Sequence, residues 1–199
     1  MDVKTYKLSN SDYRAVAELH CDQINKGFLA SLGISFLTLL YEAIDKDTES
    51  ALLVKRVDGV IIGFVTGTGG LGQIYKKLLS QPLRLIYTLK YNLLSPSKIY
   101  KIVEILLISK GDKALIDLPR QELLSIVVNP TYQGEGIAEN LFKALSSFFK
   151  SKEASSFSIV VGSDLDRAHA FYRKMGSVPV KEIQVHQGAN SIVYVKEIN

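Results

Sequence analysis

The residues of this chain best placed to do chemistry lie in Gln133-Gly134-Glu135-Gly136-Ile137-Ala138, a short turn between a β-branched run and a helical pattern. Ile126-Val127-Val128 ends at Asn129-Pro130. Beyond the turn, Leu141, Phe142, Leu145, Phe148 and Phe149 recur at three- and four-residue spacing, which draws one apolar face of a helix. A strand that passes through Gly-x-Gly into a helix aims several unpaired backbone N–H groups at one place, beside the positive end of the helix. Glycines at 134 and 136 put no side chain in the way of a close approach. This geometry suits a phosphate. The dinucleotide fingerprint would need a third glycine where Glu139 stands, and no Gly-Lys-Ser/Thr follows to make a nucleotide P-loop.

Proton chemistry has four candidates. Tyr172, taken alone, reads as a helix tyrosine packing beside Phe171, although its phenol can donate at neutral pH. Glu122 stands near a strand start, where a solvated glutamate is commonplace, although half-burial there would raise its carboxyl pKa and let it accept a proton. His20 and His186 titrate near neutrality by nature. His169 is left aside because its helical phase is read as turning it away from Tyr172. No spacing of His, Asp, Glu or Cys suggests a metal, and no metal cofactor is expected.

The elements that must position these groups follow from periodicity and breakers. Val3–Leu8 alternates like a strand, Ser11–Cys21 reads as a helix, and Phe28–Ile44 contains a second, with Phe36, Leu39, Leu40, Ala43 and Ile44 inward. Ala51–Arg56 and Val60–Thr66 are strands joined by Asp58-Gly59, a two-residue hairpin signal. Gln121–Val128 is the strand entering the turn, Ser156–Val161 another, and 166–175 a helix closing at Gly176. Val180–Val185 and Ser191–Lys196 form a last hairpin around Gln187-Gly188-Ala189-Asn190.

Val128-x-Pro130 followed by Gln133-Gly134-x-Gly136-x-Ala138 resembles the acetyl-CoA signature of the GCN5-related N-acetyltransferase (GNAT) superfamily. Downstream, Ala168-His169-Ala170-Phe171-Tyr172-Arg173-Lys174-Met175-Gly176 resembles that family's second motif. The chain departs from the pattern at Leu165, where the family often has an asparagine on the pantetheine, and at Ser177, where it usually has phenylalanine. The resemblance implies an α/β GNAT fold, a central mixed, mostly antiparallel twisted sheet flanked by helices. It also implies acetyl-CoA as the acyl-donor cosubstrate. By resemblance, Ile126, Val127 and Val128 hold the pantetheine through their main chain, while Gln133, Gly134, Glu135, Gly136, Ile137 and Ala138 hold the pyrophosphate. Tyr172 matches the tyrosine that protonates the departing sulfur, and Glu122 the general-base glutamate of the histone-modifying branch. Val161 stands where other branches carry a glutamate. His20 and His186 fall in regions that face the acceptor in relatives.

Length and composition agree with one domain over residues 1–199. The chain is 47% hydrophobic and 22% charged, a globular balance. One cysteine, Cys21, excludes an internal disulfide. No signal-peptide pattern opens the chain and no uncharged run is long enough to span a bilayer, so a cytoplasmic location is expected.

Residues 70–115 fall outside the resemblance and read as an insert before the cofactor-binding strand. Leu71–Leu79, Leu83–Leu94 and Lys98–Ile108 look like short helices. Lys76, Lys77, Arg84, Lys90, Lys98, Lys101, Lys110 and Lys113 stand against Glu104 and Asp112 alone, a net +6 within an overall +4. Three readings stay open: solvated faces of amphipathic helices, a lid over an acidic acceptor, and peripheral contact with anionic lipid or a protein partner. No motif for specific nucleic-acid recognition accompanies the charge.

The expected activity is transfer of the acetyl group from acetyl-CoA to a primary amine of a small molecule, such as an amino sugar. A protein N-terminal or lysine acetyltransferase is the alternative acceptor class. A CoA-binding sensor or docking module with little catalysis is the alternative from another class. The oligomeric state is not encoded legibly, and a dimer stays open.

Overall fold

The computed structural model describes residues 7–24, 27–90, 118–185 and 189–198. Helix α1 (Asn10–Gln23) starts where Asp12 accepts the Ser9 N–H at 2.8 Å, and Arg56 pairs with the same carboxylate at 2.8 Å. The predicted second helix is two: α2 (Phe28–Ser31) and α3 (Ile34–Asp45), parted at Gly33 with φ 89°. Strands β1 (Ser50–Val57) and β2 (Val60–Thr68) join through Asp58 and Gly59, both at positive φ, as the hairpin signal requires.

Helices α4 (Leu71–Leu79) and α5 (Pro82–Leu89) form the described part of the insert. Strand β3 (Glu122–Val128) leads through a 3-10 turn (Pro130–Tyr132) into α6 (Ile137–Ser151). Strand β4 (Ser156–Gly162), α7 (Asp166–Lys174), β5 (Val178–Val185) and β6 (Ala189–Glu197) follow. The expected strand at Val3–Leu8 lies mostly outside the described residues, and its described end, Lys7-Leu8, has no regular structure. The expected helix at Lys98–Ile108 and the first half of the final turn, Gln187-Gly188, also lie outside them, and the second half, Ala189-Asn190, opens β6.

The six described strands run in the order β1-β2-β3-β4-β6-β5. Every pairing is antiparallel except β3 with β4. The sheet carries a core on each face. On one, α1, α3, α4 and α5 bury Val16, Leu37, Ile44, Phe64, Ile74 and Leu78. On the other, α6 and α7 bury Val65, Leu141, Phe142, Phe149, Phe157 and Tyr172. Alternation in β2 divides them, with Phe64 to the first face and Val65 to the second. Gly67 lets α6 lie close on β2: a Cβ there would stand 2.7 Å from Phe149 Cζ and 2.8 Å from Leu145 Cδ1.

The basic insert is anchored to α3 by charge as well as by Ile74 and Leu78. Arg84 meets the buried Glu42 carboxylate at 2.6 Å, and Lys77 meets Asp47 at 3.4 Å. Arg84 first and then Lys46 hold the Glu42 carboxyl below its ordinary pKa. Two of the cations that make the insert basic are therefore tied to carboxylates of the same chain.

Candidate active site

The sheet opens at the parallel pair. Strand β3 pairs with β4 only at Glu122↔Ser158 and Leu123↔Ile159, whereas it pairs with β2 along its whole length, and β4 pairs with β6 through Gly162. Past Leu123 the two strands part, and one edge of β3 from Ser125 to Val128 faces no neighbouring strand among the described residues. An extended amide-bearing ligand entering this wedge would find main-chain N–H and C=O groups already set out in β geometry. A register shift between Thr66 and Gly67 marks the parting: Thr66 sits opposite Ser125 and Gly67 opposite Leu123, so Leu124 is the extra residue of a bulge.

The phosphate turn lies at the carboxyl end of β3. Gly134 (φ 87°) and Gly136 (φ 75°) both occupy the left-handed region. A Cβ on either would meet nothing within 4 Å, so the demand for glycine here is conformational and leaves the turn open to a ligand. Among the described residues the N–H groups of 134–138 donate to no backbone carbonyl, and the first such donor in the helix is Asn140, to Gly136. Those groups are the orphan donors of a helix start, gathered at its positive end. The Gln133 side chain braces the turn, donating to the Val128 carbonyl at 3.3 Å and accepting from Arg167 of α7 at 3.0 Å. This donor set fits a pyrophosphate.

Tyr172 lies on α7, 6% exposed, against Phe142, Phe171 and Tyr194. Burial pushes its phenol above the ordinary range, so it is a donor at any physiological pH. Glu122 lies at the mouth of the wedge on the other face. Burial raises its carboxyl to about 7, the range of a working general base. Tyr75 of α4 stands close enough to sense it: burial first and then the Glu122 charge push the Tyr75 phenol up to about 12. Glu122 on the α4 side and Tyr172 in the core under α6 and α7 thus lie on opposite faces of the sheet.

The histidines are placed differently. His20 is buried on α1, its Nδ1 2.5 Å from the Tyr41 hydroxyl, with its Nε2 unpartnered among the described residues. Burial lowers it to about 4, so it is neutral at pH 7 and has no partner that would make it a proton donor there. The Ser125 hydroxyl in the bulge of β3 lies near enough to offset part of the rise that burial imposes on the Tyr41 phenol. His186 lies outside the described residues. His169 does not turn away from Tyr172: three residues is nearly one turn, both side chains are buried, and both rings stack on Tyr194. His169 bonds the Tyr194 hydroxyl at 2.9 Å and the Gly162 carbonyl at 3.1 Å, a brace between α7 and the end of β4. Val161 is buried core, and Leu165, in place of the family's asparagine, is half exposed at the start of α7.

Sequence reading missed the third part of the site. A cavity of about 170 Å³ lies between α2, α3, α4, α5 and the β3 bulge. Leu29, Phe36, Leu40, Leu85 and Leu124 are in its wall, and the polar side chains reaching it are Ser125 and Tyr75. Each wall residue reads in sequence as ordinary core, and the elements that carry them lie far apart in the chain.

A wedge between parallel strands that ends in an N–H cradle at a helix start makes a site for an extended ligand that carries a phosphate. The profile of the acetyltransferase (GNAT) family matches residues 13–177, and the chain belongs to that family. Solved structures agree in fold. SsHAT shares 17% identity with coverage of 100% of this chain and 98% of its own, at TM-score 0.65. Aminoglycoside 6'-acetyltransferase type Ii shares 14%, with coverage of 100% and 98%, at TM-score 0.63. The ribosomal-protein-S18-alanine N-acetyltransferase from Escherichia coli shares 11%, with coverage of 97% and 92%, at TM-score 0.55. No curated protein gives a significant match. Among the described residues no cluster suited to a metal occurs, and no helix is long and apolar enough to cross a membrane.

Proposed function

We propose that this enzyme transfers the acetyl group of acetyl-CoA directly to the primary amine of a small molecule, in one ternary complex within a single domain. The observation that carries the reading is the wedge with the cradle at its end. The free edge of β3 at Ser125–Val128 suits the pantetheine amides, and the N–H groups of 134–138 suit the pyrophosphate. The bound thioester supplies an acetyl carbon open to attack.

The chain's residues then divide the work. Glu122, directly or through a water, takes the proton of the attacking nitrogen. As the C–N bond forms and the C–S bond breaks, Tyr172 gives its proton to the departing sulfur and is restored from solvent. The β3 main chain orients the carbonyl. The products are an N-acetyl amide and free CoA thiol, so atoms and charge balance without a further reactant.

Neighbours of this fold are named for acceptors as different as a ribosomal protein and an aminoglycoside. The fold therefore does not choose the acceptor, and the cavity wall must. The test is thermal shift with acetyl-CoA, CoA, NAD and ATP, followed by thiol release with an amine panel. Selective stabilisation by the CoA species with turnover is the expected result. Stabilisation with background turnover across the panel would favour a CoA-binding sensor, and no stabilisation by any CoA would remove the reading.

A further inference from the structure

The cavity lies on the Glu122 face of the sheet, and α4 and α5 of the insert build much of its wall. Leu71, Ile74 and Leu78 come from α4, and Leu85 and Leu89 from α5. Phe28 and Leu32 of the α2 segment and Phe36 and Leu40 of α3 complete it, and Leu124 and Ser125 of the β3 bulge join it to the wedge. Two independent features meet there. The wall is hydrocarbon with almost no hydrogen-bonding groups, so a hydroxylated ligand would exchange its water for nothing. On the same face of β3, two residues before Leu124, stands Glu122, whose charge reaches Tyr75 of the wall.

We propose that the acceptor is a primary amine carrying one compact hydrocarbon group, whose ammonium meets Glu122 at the wedge while its tail fills the α2–α5 cavity. The inference rests on the acetyltransferase reading and names the substrate class for that same site. Size sets the tail: a dry cavity of about 150 Å³ lined by Leu, Ile and Phe accepts a benzene ring, and this one measures 170 Å³. A phenyl ring or an alkyl chain of similar bulk fits, and a long fatty chain does not. The bulge is what connects the two halves, since it turns both Leu124 and Ser125 toward this face while β3 continues beside the wedge. Tyr41, bonded to His20, lies near Ser125 at the junction. An amino sugar would set its hydroxyls against leucine and phenylalanine, so this site ranks it below an arylalkylamine or alkylamine.

The experiment is a kcat/KM series on the full-length protein with acetyl-CoA. The acceptors are ethylamine, butylamine, hexylamine, phenethylamine, glucosamine and putrescine. The expected result is a rise of about fourfold per added methylene until the cavity is full, with phenethylamine near the top and glucosamine near the bottom. Two variants at half-buried wall positions move the optimum in opposite directions. Leu29→Trp narrows the cavity and should lower the phenethylamine-to-ethylamine ratio at least about tenfold, and Leu85→Ala should move the preferred tail to a longer one. Thermal shift with acetyl-CoA shows that each variant is folded.

Equal rates for glucosamine and phenethylamine would overturn the proposal. So would variants that change the preference among acetyl-, butyryl- and hexanoyl-CoA and leave the amine preference alone, since the tail in the cavity would then be the acyl chain. Absence of both CoA stabilisation and thiol release would instead overturn the acetyltransferase reading on which the proposal rests.

Discussion

The cradle and the cavity are built by opposite means. The cradle takes its chemistry from the main chain of one short segment, 126–138, and its side chains matter chiefly for the backbone angles they permit. The cavity takes its chemistry from side chains between 28 and 125, and its main chain is consumed in helices and strand pairing. The first therefore depends on a few backbone angles, and the second on side chains brought together from separate segments.

If the two regions are separable, substitutions in them should separate too. The largest effect expected is from Glu122→Gln, which removes the proposed base. It should lower kcat by about 10²- to 10⁴-fold and abolish the rise in rate with pH through about 7, where the carboxylate forms. Acetyl-CoA affinity should stay unchanged. A pH–rate profile that keeps its limb in the variant would take Glu122 out of the mechanism.

Next comes Tyr172→Phe, with an expected loss of about 10²-fold in kcat and little change in CoA stabilisation, since the ring packing survives. The loss should shrink with thioesters of more acidic thiols, which leave without help. Turnover equal to the parent enzyme would show that water reprotonates the sulfur.

Stability against pH sharpens the comparison on the cavity side. Glu122 binds a proton more tightly folded (about 7) than unfolded (4.5), so its contribution falls as pH rises across that window. His20 is the reverse, about 4 folded against 6.5, so its contribution is lost as pH falls from 6.5 toward 4. Each slope is about 1.4 kcal/mol per pH unit at its steepest, and they oppose each other in the overlap. Denaturant melts should show Glu122→Gln gaining stability with rising pH between 5 and 6, and His20→Asn losing it. Parallel slopes in the two variants would refute the assignment of one or the other group.

The smallest effect expected is Gly136→Ala. A methyl there meets nothing within 4 Å, so only the left-handed backbone is penalised, by about 1–2 kcal/mol of stability. The KM for acetyl-CoA should rise while the ranking of amines stays fixed. A changed amine ranking would mean that the cradle and the cavity are coupled.

The cradle was legible because its information is local. A β-branched strand, a proline, two glycines and an amphipathic helix state their backbone geometry almost residue by residue, and α6 begins at Ile137 as the pattern requires. The Asp58-Gly59 hairpin and α4 were legible for the same reason. Gly33 was not recognised as a break, since the leucines and phenylalanines on both sides keep a helical spacing across it.

The raised carboxyl of Glu122 is not written in any local spacing, because its cause is burial by elements packed on the sheet from elsewhere in the chain. His20 read as an acceptor-facing group, whereas the structure buries it against the Tyr41 hydroxyl. The sequence by itself determined the strand–turn–helix cradle, the order of elements and the family, since these follow from backbone preferences over a few residues. Only the tertiary structure decided the cavity, the environment of Glu122 and the ties of Arg84 and Lys77. Burial and charge pairing arise between segments that no local spacing connects.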